Sequence, residues 1–230
     1  RSFFYTQYKV EECKMLKAVI FDMDGLMIDT ENVTYQCYKD VLKTMNLEMT
    51  KAFYTTLLGR TMEATRRAMF DQYGEDFPIE KVAKKVHQLM DEQFARDGVP
   101  LKVGLVELLT YLKEHHYKTM IATSSRRERV NALLTDNGIL NYFDDVICGD
   151  EVEHGKPAPD VFLNACQKLN VQPSEALVLE DSEAGIQAAY DAHIPVYCTP
   201  DLKQPGKEYA QKTKGILSSL LDVITILENM

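Results

Sequence analysis

Ala18-Val19-Ile20-Phe21-Asp22-Met23-Asp24-Gly25 decides the reading of this chain. Its four leading apolar residues form a short continuous run, as expected of a strand buried on both faces of a parallel sheet. The run ends and at once presents two carboxylates, two residues apart. Alternation along an extended chain turns both to one side. Gly25 then lets the chain turn sharply without a Cβ penalty. Carboxylates this close repel each other unless a cation or a proton intervenes. An oxygen-rich site of this kind suits Mg²⁺. Taken alone, the same residues also fit a polar strand end followed by a helix cap.

Similar runs follow at Met120-Ile121-Ala122, Val146-Ile147-Cys148, Leu177-Val178-Leu179 and Pro195-Val196-Tyr197-Cys198. Helical patterns lie between them. Leu105, Leu108, Leu109 and Leu112 share one helical face, and so do Phe162, Ala165, Cys166 and Leu169 behind a first-turn Pro159. A helix through Val130, Leu133 and Leu134 meets a stop at Asn137-Gly138. A last helix is predicted through Ile216, Leu217, Leu220, Leu221, Ile224 and Leu227. Strand–helix alternation from Lys102 onward predicts right-handed crossovers and a doubly wound α/β core.

Residues from about 30 to 98 break that rhythm. They show helical spacing at Tyr38, Val41, Leu42 and Met45, at Met62, Thr65 and Met69, and at Val82, Val86, Leu89 and Met90. A helical insertion after the first strand would sit above the carboxyl edge of the sheet, where ligands bind in this architecture. The expected division is therefore a core of 15–29 and 99–230, a helical cap of 30–98, and an extension of 1–14, native or added. Hinges for cap closure are expected near 28–30 and 98–102.

Composition narrows the function. The 230 residues carry 26 Lys+Arg against 35 Asp+Glu, a formal net charge of −9. That balance argues against a general nucleic-acid binder but allows one local basic pocket for a small anion. A hydrophobic fraction of 45% excludes a wholly disordered chain. No stretch approaches the ~18 apolar residues of a membrane span, and residues 1–14 lack the apolar core of a signal peptide. Five scattered cysteines without a C-x-x-C pair read as reduced, buried thiols of a cytoplasmic protein. A monomer is the default expectation.

Three further strand ends carry polar chemistry. Thr123-Ser124-Ser125 offers hydroxyls and free N–H groups to an anion, or simply caps a helix. Gly155-Lys156-Pro157-Ala158-Pro159-Asp160 fixes a lysine before a rigid Pro-x-Pro helix start. That lysine suits a phosphate or a carboxylate, or else faces solvent. Glu180-Asp181-Ser182 adds two carboxylates, again where an N-cap would also fit. In chain order the four strand ends supply acid, hydroxyl, cation and acid, all at one sheet edge. Independent caps give no reason for that order.

FDMDG at 21–25, IATSS at 121–125, GKPAPD at 155–160 and VLEDSEAGI at 178–186 together resemble the haloacid dehalogenase-like superfamily, over residues 15–230. The resemblance implies a Rossmann-like core with an α-helical cap inserted after the first motif. The cap placement looks like that of the subgroup holding phosphoglycolate phosphatases, β-phosphoglucomutase and sugar-phosphate phosphatases. It implies Asp22 as a nucleophile that becomes an aspartyl-phosphate, and Asp24 as general acid, then general base. It also implies Mg²⁺ at Asp22, Asp181, Glu180 and the Asp24 carbonyl. Thr123 and the N–H of Ser124 would hold the phosphoryl group, and Lys156 would neutralise charge. Arg60, Ser125 and Arg126 are possible substrate contacts. The implied activity is Mg²⁺-dependent hydrolysis of a small phosphorylated metabolite. Dehalogenases of the superfamily lack the second aspartate that Asp24 supplies here. The mutases carry a cap histidine and arginine where this chain has Thr34 and Met62. A phospho-ligand binder without activity should have lost an essential group, and none is missing.

Overall fold

The computed structural model describes residues 15–58, 62–135 and 138–230. The expected extension 1–14, Arg60 and Asn137 lie outside the described residues. In chain order the elements are β1 (Ala18–Phe21), α1 (Thr30–Lys43), α2 (Lys51–Leu57), α3 (Met62–Tyr73), α4 (Ile79–Asp97) and α5 (Leu105–Glu114). There follow β2 (Lys118–Ala122), α6 (Arg127–Leu134), β3 (Asp145–Ile147), α7 (Asp160–Leu169), β4 (Ala176–Glu180) and α8 (Glu183–Asp191). The chain closes with β5 (Val196–Cys198), α9 (Lys207–Ala210), β6 (Gly215–Ile216) and α10 (Leu221–Glu228).

The strands form one parallel sheet in the order β3-β2-β1-β4-β5-β6. β1 lies inside it, with Phe21 between Ile121 and Leu179. Its side chains alternate between two cores. Val19 and Phe21 join Ile121, Leu177 and Leu179 on one face, under α5, α6 and α10. Ala18 and Ile20 join Met120, Ala122 and Val178 on the other, under α7 and α8. Burial on both faces explains why the strands read as unbroken apolar runs. Each large apolar side chain so buried contributes about 1.5–3 kcal/mol. The strand order reverses between β1 and β4. That reversal opens a crevice at their carboxyl ends.

Helices α1 to α4 are inserted between β1 and α5 and have a core of their own, including Val33, Cys37, Leu42, Tyr54, Met69, Val86 and Met90. The two connecting segments touch each other. Asp29 N donates to the Pro100 carbonyl and Lys102 N to the Met27 carbonyl, both at 2.9 Å. Ile28 and Leu101 form an antiparallel bridge.

Two elements differ from the sequence reading. The last helix starts at Leu221, because Ile216 instead pairs with Cys198 as the end of β6. A two-residue edge strand is too short to show a period, so its apolar residue merges with the helical pattern that follows. Helix α2 is additional. It has seven residues, and Thr50 caps it by accepting from Phe53 N at 3.1 Å. No helix among the described residues is long and apolar enough to cross a membrane.

Candidate active site

Asp22 continues β1 by one residue, its N–H donating to the Leu179 carbonyl at 3.0 Å. This places its carboxylate in the crevice beside the end of β4. Lys156 reaches the same point from the loop after β3. Its Nζ donates to Asp22 Oδ1 at 2.5 Å and to Glu180 Oε1 at 2.6 Å. The Lys156 side chain is 4% exposed and that of Glu180 is fully buried. The second Glu180 oxygen accepts from Asp181 N, Ser182 N and Ser182 Oγ, each at 2.9 Å. Ser182 Oγ in turn caps α8 by accepting from Gly185 N at 3.1 Å. One carboxylate thus fixes both the lysine and the loop that presents Asp181.

Two glycines make room for these acids. A Cβ at Gly185 would overlap the Glu180 carboxylate. A Cβ at Gly25, where φ is +85°, would overlap that of Asp181. Gly25 is therefore required by its backbone conformation and by its neighbour.

Two buried carboxylates, Asp22 and Glu180, share one ammonium with the partly buried Asp181 close by, and the imbalance shows in their proton affinities. Burial pushes Asp22 up to about 7; Lys156 opposes this, while Glu180 and Asp24 add to it. Burial, then Glu180 and Asp22, raise Asp181 well above the ordinary carboxylate range. For Lys156, burial favours the neutral form, but Asp22 and Glu180 outweigh it and hold the ammonium above its usual range. One oxygen from each of Asp22, Glu180 and Asp181 lies within 4.8 Å of the others. An all-oxygen set with excess negative charge fits a divalent cation. Glu180 has both oxygens engaged, so the oxygens open to such an ion belong to Asp22 and Asp181.

Asp24 faces the same crevice and is held by three donors. Its Oδ1 accepts from Thr30 Oγ1 and from Arg129 Nη2, both at 3.0 Å, and its Oδ2 from Ser125 Oγ at 2.7 Å. Thr123 is buried at the end of β2, and its Oγ1 accepts from Ser125 N at 3.0 Å. Asp22, Asp24, Thr123, Ser124, Lys156 and Asp181 line one cavity of about 290 Å³. Glu31 and Leu58 close it from the insertion, and Asp201 to Pro205 close it from the loop after β5.

The structure thus brings together the residues predicted from all four strand ends. Ser125 takes part through Asp24. Arg126 is exposed at the N-cap of α6 and is not among the cavity's lining residues. Arg127 turns to Glu151, Nε to Oε1 at 2.8 Å, and to the Val146 carbonyl. Arg129, Glu31 and Asp201 are additional. Arg129 lies in the first turn of α6, three residues past the N-cap Arg126, and returns from there to Asp24. Thr34 back-bonds within α1 to the Thr30 carbonyl at 2.8 Å, and Met62 is 87% exposed at the start of α3. His154 lies in an exposed pair with Asp160.

Known proteins resemble this chain. A phosphorylated carbohydrates phosphatase of Thermotoga maritima is 30% identical over 94% of this chain and its own full length. A fructose-1-phosphate phosphatase of Escherichia coli is 32% identical over 74% of this chain and 89% of its own. Among solved structures, one from Thermotoga maritima, provisionally named a β-phosphoglucomutase, superposes with a TM-score of 0.77. It is 27% identical and covers 94% of this chain and all of its own. The family profile described as haloacid dehalogenase-like hydrolase matches residues 19–199. With its polar strand ends gathered at one sheet edge and this profile spanning most of its length, the chain belongs to the haloacid dehalogenase-like hydrolases.

Proposed function

We propose that this chain is a Mg²⁺-dependent phosphatase that hydrolyses a small phosphate monoester, a sugar phosphate or similar metabolite, through an aspartyl-phosphate. The observation that carries this reading is the convergence of Asp22, Asp24, Thr123, Lys156 and Asp181 on one cavity. An open Asp22 oxygen attacks phosphorus as the ester P–O bond breaks, and Asp24 gives the departing oxygen its proton. Water then attacks the same phosphorus while Asp24 takes up its proton, and Asp22 is regenerated. Thr123 Oγ1 and the Ser124 N–H receive phosphoryl oxygens. Lys156 balances charge on Asp22, and Glu180 keeps Lys156 in place. Mg²⁺ held by Asp22 and Asp181, with Glu180 bracing the site, would offset repulsion between the nucleophile and the phosphoryl group. Two relatives named for action on phosphorylated sugars support the substrate class. Four free, buried cysteines among the described residues suit a reducing cytoplasm.

The test is phosphate release from a panel of phosphate esters with Mg²⁺, using Asp22→Asn as the blank. The parent is expected to release phosphate, and the variant to lose at least ~10³-fold in kcat. Equal rates would sink the mechanism. The likeness to a provisionally named β-phosphoglucomutase motivates a parallel assay, from β-glucose 1-phosphate with glucose 1,6-bisphosphate. Glucose 6-phosphate with little free phosphate would favour phosphoryl transfer. Thr34 and Met62, which bring no charge to the cavity, weigh against that outcome.

A further inference from the structure

The cavity has an outer half that the chemical steps do not use. Glu31 and Leu58 face it from the insertion, and Asp201, Lys203 and Gln204 face it from the loop after β5. Glu31 follows Thr30, whose hydroxyl donates to Asp24, the group assigned to the departing oxygen. Glu31 therefore stands on the side where the leaving group lies. Its position is fixed, because the buried Tyr54 hydroxyl donates to Oε2 at 2.7 Å. Among the described residues, its Oε1 has no hydrogen-bond partner.

Three of the nearby cations among the described residues are committed elsewhere. Lys203 Nζ lies 3.3 Å from Glu183, and Lys102 Nζ lies 2.6 Å from Asp201. Arg129 is engaged by Asp24. Burial raises the pKa of Glu31; the Tyr54 hydrogen bond and Arg129 oppose this, and the Asp201 and Asp24 carboxylates add to it. Among the described residues, no cation pairs with the Glu31 carboxylate, so it presents its negative charge on the leaving-group side. A hydroxyl donor entering there meets an open acceptor. A carboxylate or second phosphate meets like charge.

Resting on the phosphatase reading above, we propose that Glu31 is a specificity residue for the leaving group. It admits monophosphate esters of neutral, hydroxyl-rich alcohols and disfavours esters whose leaving group carries a second anion.

The test uses the full chain with Mg²⁺ and compares kcat/KM for fructose 1-phosphate, phosphoglycolate and fructose 1,6-bisphosphate, with p-nitrophenyl phosphate as a generic ester. Glu31→Gln keeps size and an acceptor oxygen but removes the charge. Because the readout is a ratio between substrates, it does not depend on the fraction of folded protein. The parent is expected to favour fructose 1-phosphate by at least about tenfold over both competitors, whose leaving groups carry a second anionic group. Glu31→Gln is expected to shrink that ratio by about tenfold. Tyr54→Phe, which releases the carboxylate from its fixed position, is expected to shrink it less. A parent that prefers phosphoglycolate or the bisphosphate overturns the proposal, as does an unchanged ratio in Glu31→Gln. If the parent hydrolyses none of the four, p-nitrophenyl phosphate included, the phosphatase reading itself fails, and this inference with it.

Discussion

Lys156 sets two buried carboxylates against one ammonium, and its removal has a calculable sign. Lys156→Met keeps the stem and deletes the charge. Asp22 and Glu180 then face each other with no cation between them. Breaking a buried pair in this way costs about 3–5 kcal/mol. A divalent cation at Asp22 and Asp181 would supply the missing charge. Urea denaturation of the variant is therefore expected to show a larger loss with EDTA than with Mg²⁺. Equal losses would mean that no cation shares this space with the lysine. Asp22, Thr123 and Asp181 were legible in the sequence because each follows an apolar run, and parallel strands end at a common edge; Lys156 was legible from its place ahead of Pro157 and Pro159. Glu31 and Arg129 were not, since nothing in their local pattern separates them from solvated helix charges. Only tertiary approach to Asp24 and to the cavity gives them meaning.

At the scale of elements, α8 shows how a helix start is bound to a buried carboxylate of the site. Ser182 both caps the helix and donates to Glu180, and Gly185 leaves the space that Glu180 fills. Gly185→Ala joins two opposite effects. Alanine in a helix gains about 1 kcal/mol over glycine. The added carbon overlaps a buried carboxylate whose hydrogen bonds to N–H and O–H donors are worth about 1.5–3 kcal/mol each. The second effect is larger, so the variant is expected to melt lower than the parent. It is also expected to lose most of any Mg²⁺-induced rise in Tm. A higher Tm would show that the space around Glu180 is slack. The central strands were legible because burial on both faces leaves no polar alternation to misread. β6 and α2 were not, since two and seven residues carry too little periodicity.

For the whole molecule, the shared acidity of the site links folding to pH. Asp22 keeps its proton in the fold up to about 7, against 3.8 when exposed. Between those values the folded state binds more protons than the unfolded one, so this group's contribution to stability falls as pH rises. Asp181 acts in the same direction. A cation needs both carboxylates ionised, so its binding strengthens over the same range and releases protons. The rise in Tm on adding Mg²⁺ is accordingly expected to be small near pH 5 and much larger near pH 8. An increment independent of pH would place the bound ion away from Asp22 and Asp181. With a formal charge of −9, the chain also gathers loosely held cations. The same titration with Na⁺ at matched ionic strength removes that contribution.

The paired connecting segments carry one last consequence. The chain leaves the core for the helical insertion at Ile28 and returns at Leu101, and those two residues bridge each other. To the six strands, the four intervening helices are a single closed excursion from one point. An excursion anchored in this way can be lengthened, shortened or exchanged for another without shifting a strand. Glu31 and Leu58 ride on it, whereas Asp22, Thr123, Lys156 and Asp181 do not. On the proposed function, the wall that meets the substrate and the groups that break its bond thus lie on separate parts of the fold, so one can be altered without moving the other.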